Sequence, residues 1–306
     1  MPAHRLLLAP LLLALLAPVA ARAASEPLVL VPSAQLGAGP ARENSGIVAS
    51  RRHAGLYWMI NDSGDEPRVY PVRRDGSVAT PERYEAPGVL VGGAINVDWE
   101  DIALDASGRL LVPDFGNNGN DRRDLVIYVL DEPRPEAGRT TWRERWFFRY
   151  PEQTAFPAPP EDFDYDAEAL FTVGDRAYVL TKHRSDDATT LYALVEPHAD
   201  RVNTLVRLGE FDVGGRVTAA DATADGLRLV VATYDTLWLF ERDDPAQSFF
   251  DGRVSRLAFE APQVEAVCFG DASGSWLLLA DEEAAALYEV PLDRFRPVTA
   301  AAPETR

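Results

Sequence analysis

The chain has 306 residues, with 48 Asp+Glu against 30 Lys+Arg, a formal net charge of −18 at pH 7 and a single cysteine. Acidity on this scale repels nucleic acid and anionic membranes and leaves cations or small ligands as the expected partners. One cysteine excludes an internal disulfide, and the setting of Cys268 in EAVCFG reads as a buried strand thiol.

The N-terminal stretch MPAHRLLLAPLLLALLAPVAARA (residues 1–23) pairs a short basic start with a leucine-rich run and small residues, and Ala21-Arg22-Ala23 fits an A-x-A cleavage pattern. An exported product, periplasmic or secreted, is therefore expected, with the mature chain starting near Ala24. No later run is long enough to span a bilayer.

The segment PLVLVPSAQL (27–36) reads as a strand, and five copies of one pattern follow it. Each copy opens with a short apolar strand: NSGIVAS at 44, WEDIALDASG at 99, AEALFTVGD at 167, AADATADG at 219 and VEAVCFGDASG at 264. Second strands follow in GLYWMIND, RLLVPDFG, RAYVLTKH, LRLVVATYD and SWLLLADE, and third strands in RVYPVR, DLVIYVL, TLYALV, TLWLFER and ALYEVPL. Fourth strands at PGVLVGG, RWFFRYP, TLVRLGEF and VSRLAFE complete four units, and the fifth has none before the polar tail at 297–306. The N-terminal strand can supply it, which is how a β-propeller closes its ring and removes an open edge. The reading is an all-β domain over 24–296, a five-bladed β-propeller of four-stranded antiparallel blades. Six blades or a pair of β-sandwiches are the alternatives. The Pro-rich YPEQTAFPAPPEDFDYD reads as a surface insertion covering one mouth.

In a propeller the first strands line the axis, so residues that start them and residues that end the second strands meet at one mouth. The first group holds Glu43 and Ser45, Asp98 and Glu100, Asp166 and Glu168, Thr218 and Asp221, and Glu265. The second holds Asn61 and Asp62, Asp114 with Asn117 and Asn118, Lys182 with His183, Asp235, and Asp281 with Glu282. Crowded carboxylates raise one another's pKa values unless a cation sits among them, and oxygen-only ligands in a flexible ring suit Ca²⁺ better than Mg²⁺ or Zn²⁺.

The order Ser, Glu, Glu, x, Glu in ENSGIV, DWEDIA, DAEAL, TAADA and QVEAV resembles the SdiA-regulated-domain family of exported bacterial propellers. It is also similar to the five-bladed calcium-dependent apyrases. That resemblance implies a central Ca²⁺ held by Ser45, Glu100, Glu168 and Glu265. Both families favour Ser in the fourth blade, where alignment puts Ala220, so the fifth ligand is lost or comes from Thr218, Asp221 or water.

DFGNNGNDRRD at 114 fails the helix-flanked calcium-loop pattern, with Gly116 at its third position and Leu125 at its twelfth. No G-x-S-x-G elbow is present, and no histidine pair has metal-ligand spacing. Lys182 is the only lysine among the 30 Lys+Arg. With His183 and Arg184 it forms a basic cluster at an acidic mouth. Two functions stand open. The first is a calcium-binding propeller that takes a small anionic ligand or an envelope protein partner, with a monomer expected. The second is a calcium-dependent hydrolase of a phosphate ester, nucleotide or lactone, in which Glu168 or Asp114 activates water and Lys182 or His183 stabilises the developing charge.

Overall fold

The computed structural model describes residues 26–81 and 83–298. The leader and its cleavage point lie outside the described residues. Alternating apolar residues and β-branched or aromatic side chains give five antiparallel-rich sheets, as the repeats require. Blade one is built from Asn44–Ala49, Leu56–Asn61, Arg68–Arg73 and Val89–Gly92. Blade two has Ala103–Leu104, Arg109–Asp114, Val126–Asp131 and Glu144–Arg149. Blade three has Ala167–Val173, Arg176–Thr181, Ala188–Leu194 and Val206–Asp212. Blade four has Val217–Ala222, Arg228–Thr233, Thr236–Glu241 and Arg253–Glu260. Blade five has Val264–Phe269, Trp276–Asp281 and Ala286–Pro291, with Ala34–Gln35 as its outermost strand.

The ring is closed by that last strand, where Ala34 pairs with Leu287 and Gln35 with Ala286. The expected strand over 27–36 is in fact two short ones, because Pro32 has no N–H to continue a ladder. Leu28–Val29 instead runs parallel to Phe259 and Glu260 on the edge of blade four, so the N-terminal segment ties the last two blades together. Further short strands cover other outer edges. Arg139–Thr141 lies on blade one, Asn203–Thr204 on blade two, and Arg296–Pro297 on blade four.

Closure is equally visible in the core, which is divided among the wedges between neighbouring blades. Trp58, Ile60, Trp99 and Val112 fill the first wedge, and Phe115, Phe148, Tyr150 and Leu170 the second. Phe171, Val217 and Phe240 fill the third, and Val230, Val267 and Leu279 the fourth. Ile47, Met59, Cys268 and Leu278 pack blade five against blade one. Twisted blades packed face to face in this way bury apolar surface on both sides of every inner strand, which makes the innermost strands rigid supports for a site at their ends.

Candidate functional site

The inner strands begin with a register irregularity that repeats around the ring. It falls between Asn44 and Gly46, Ala167 and Ala169, Val217 and Ala219, and Val264 and Ala266. In blade two the equivalent pairing is the bridge between Trp99 and Asp114. A bulge places one extra residue opposite its partner strand and re-aims its side chain. The extra residues are Ser45, Glu100, Glu168, Thr218 and Glu265. The fourth-blade position is thus Thr218; alignment through Ala220 is two residues out of register, because an inserted bulge leaves no mark in an apolar pattern.

The two hydroxyl members are turned to their neighbours' backbone. Ser45 Oγ donates to Trp99 O at 2.8 Å, and Thr218 Oγ1 donates to Val264 O at 3.1 Å, each bonding the first paired residue of the next blade. The three glutamates are buried. Above them stand the residues that follow each second strand: Asp62, Phe115, Lys182, Tyr234 and Glu282. Backbone bonds from Asp62 N to Glu43 O, Phe115 N to Asp98 O, Lys182 N to Asp166 O and Glu282 N to Gln263 O close four of these hairpin ends.

The resulting mouth is strongly acidic. Oxygens of Asp62, Asp98 and Glu100 lie within 4.8 Å of one another. Burial, then Asp62, pushes Asp98 up to about 7. Burial raises Glu100 well above the carboxylate range, with Glu168, Asp62 and Asp98 adding to it. Glu168 is raised by burial and by Asp166, against the pull of Lys182. Glu265 is raised by burial, against its bond from Gln263, and Glu282 reaches about 7 through burial, Glu265 and Asp62. Lys182 Nζ sits 2.9 Å from Glu168 Oε2 and 5.5 Å from the Tyr234 ring centroid. Burial pulls the ammonium down, but Glu168, Tyr234 and Glu100 outweigh it and its pKa rises.

Glu168 Oε1 is buried with no hydrogen-bond partner. A buried carboxylate oxygen without a donor, beside three further carboxylates, is the arrangement a hard cation satisfies. The donor set is oxygen only, which suits a hard cation better than zinc. Of the expected ligands only Glu100 belongs to this tightest group, with Asp62 and Asp98; Glu168 and Glu265 line the same ring outside it, and Ser45 is turned to Trp99 O.

Other expected residues have different employment. Asp114 is paired with Arg122 at 2.9 Å and accepts from Asp98 N at 3.1 Å, so it fixes the segment that carries Asp98. His183 is buried, with Nδ1 2.7 Å from Asp186 and Nε2 3.1 Å from Thr190. Both ring nitrogens are therefore engaged within its own blade, away from Lys182. Arg184 bonds Asp166 at 2.7 Å. Asn117 staples its loop, accepting from Asp121 N and Arg122 N and donating to Tyr165 O. The Pro-rich insertion packs on that loop through Gln153 and Ala158, both bonded to Asn120 O.

A residue with no sequence signal closes the axis beneath the ring. Asp101 is buried, at φ 57°. Its N–H bonds Ser45 O at 3.0 Å, and its Oδ2 accepts from Leu170 N at 2.8 Å and Ala220 N at 3.1 Å. One residue in the left-handed region thus joins blade two to blade one through its backbone and to blades three and four through its side chain. Gly46 lets it in, since a Cβ there would lie 2.6 Å from Asp101 Cα.

No protein-family model and no curated protein sequence matches this chain. Among solved structures, it is similar to a protein described as a candidate gluconolactonase, with 17% identity and a TM-score of 0.44 over 86% of this chain and 78% of the other. It is also similar to a gluconolactonase of Xanthomonas campestris, with 15% identity and a TM-score of 0.43 over 87% of this chain and 96% of the other.

Proposed function

We propose that the acidic mouth binds Ca²⁺ and that the protein is a calcium-dependent hydrolase of a small phosphate ester, nucleotide or lactone. The observation that carries this reading is the convergence of Asp62, Asp98 and Glu100 within 4.8 Å beside the unpartnered Glu168 Oε1. Asp62, Asp98 and Glu100 would hold the cation. Bound there, it would polarise a phosphoryl or carbonyl oxygen.

The chain's own groups supply the rest. Lys182 is kept charged by Glu168 and offers a fixed positive point to an oxyanion. Glu282, pushed up to about 7, can accept a proton from water near neutral pH. A carboxylate that titrates near neutrality beside a fixed ammonium and a cation-ready carboxylate group is what hydrolysis needs, and this supports the hydrolase over the purely binding reading. Thr218 also removes the fourth-blade departure from the Ser-and-Glu order. Export to the periplasm or medium, with a free calcium supply, fits the same reading.

The test is a panel of p-nitrophenyl phosphate, a nucleoside diphosphate and an aldonolactone, with Ca²⁺ or with chelator. Turnover of at least one substrate is expected with Ca²⁺ alone, falling about a hundredfold in Lys182→Met. Calcium binding without turnover of any substrate would return the protein to the binding class.

A further inference from the structure

A second cavity lies at the other end of the inner strands. It has a volume of about 480 Å³ and is bounded by the ends of the blade-one, blade-four and blade-five inner strands and the turns that follow them. Asp101, bonded across the axis, stands between it and the carboxylate ring. Its walls are mostly apolar, from Val48, Leu56, Tyr57, Leu104 and Phe269, with Ser50, Arg51 and Thr223 among the polar members. A volume in this range, with apolar walls and few polar groups, is typical of pockets for small organic ligands.

Two carboxylates line it, of which Asp271 is engaged by Ser273 and Trp276. Asp221 is partly exposed and lines the cavity. Its Oδ1 accepts from Ala222 N at 2.8 Å and its Oδ2 from Phe269 N at 2.9 Å, which fixes its direction and leaves one lone pair on each oxygen. Among the described residues no cationic side chain bonds it. Arg51, at the rim, spends an N–H on Asp105 O at 2.9 Å. Burial holds Asp221 up at about 7, outweighing its two backbone donors and the nearby charge of Arg51.

We propose that this cavity is a second binding site, for a small molecule with an apolar body and a protonated amine that pairs with Asp221. The apolar walls take the body, the fixed carboxylate takes the ammonium, and the −18 net charge of the chain draws cations towards it. The site is separate from the calcium mouth and does not rest on the hydrolase reading.

The experiment is calorimetric titration of the full chain with phenethylamine, phenethyl alcohol and phenylpropionate in millimolar Ca²⁺, which occupies the carboxylate ring. Saturable binding of the amine is expected, with the alcohol and Asp221→Asn each about tenfold weaker and phenylpropionate inert. Ala54→Trp, at an exposed turn residue of the cavity wall, fills the space and abolishes binding; it carries the test if Asp221→Asn does not fold. Absence of saturable amine binding at millimolar concentration overturns the proposal. So does equal binding of the alcohol, or unchanged binding in Ala54→Trp.

Discussion

Lys182 Nζ lies 2.9 Å from Glu168 Oε2 with both side chains buried, so the chain's only lysine is held at the axis by a glutamate of the central ring. A compact ammonium fits beside the axis, whereas a planar guanidinium would bring five donors in a rigid fork and leave several unmet. Breaking one side of a buried pair leaves the other uncompensated, at about 3–5 kcal/mol. Lys182→Met should therefore lower the urea midpoint strongly. Adding Glu168→Gln should recover most of the loss, because the stranded charge is then gone. A double variant as unstable as the single one would show that packing, not charge, fixes this position.

Calcium should stabilise the fold through the carboxylate group. A ligand at a hundred times its Kd adds about 2.7 kcal/mol, which for a chain of this size is a rise of roughly 5 °C in Tm. Asp98→Asn or Glu100→Gln should remove the rise. Ser45→Ala should leave it in place, since Ser45 Oγ is committed to Trp99 O. Loss of the calcium response in Ser45→Ala would restore the hydroxyl to the ligand set.

The five blades were legible because each repeats the same apolar alternation and turn chemistry, and the missing fourth strand of blade five named the N-terminal segment as its partner. The mouth was legible too, since strand starts and strand ends converge in any propeller. What could not be read is what depends on one-residue register. The bulge that puts Thr218 in the ring leaves the apolar pattern around Ala220 intact. Asp98 and Asp62 were visible as mouth residues, but their approach to Glu100 is set by Asp114 and the hairpin-end bonds. The role of Asp101 is a matter of three long-range bonds and carries no local signature at all.

In chelator, stability should fall as pH rises. Asp98 and Glu282 sit at about 7 in the folded chain, against ordinary carboxylate values when unfolded. Between roughly pH 4 and pH 7 the folded state therefore holds more protons than the unfolded one, and each step up in pH favours unfolding. The chelated protein should melt higher at pH 5 than at pH 8. Ca²⁺ competes with those protons, so it should reverse the trend and bind more tightly at the higher pH. A chelated protein with no pH dependence across this window would mean that the carboxylates are already neutralised by other means.

Asp101 should prove the most sensitive ring position for folding while touching no ligand. Replacing it with Ala leaves the N–H groups of Leu170 and Ala220 buried without an acceptor, at about 1–3 kcal/mol each. It also puts a residue with no local hydrogen bond at φ 57°. A total loss of about 3–5 kcal/mol is expected. Asp101→Asn keeps an oxygen for the two N–H groups and tolerates the left-handed conformation, losing only the acceptor for Ile102 N, so it should lose about 1–3 kcal/mol. Gly46→Ala attacks the same contact from the other side, forcing a Cβ to 2.6 Å from Asp101 Cα. Denaturant unfolding of the three variants should rank Asp101→Asn as the mildest. If Asp101→Ala were as mild as Asp101→Asn, the carboxylate would not be what holds blades three and four to blade two.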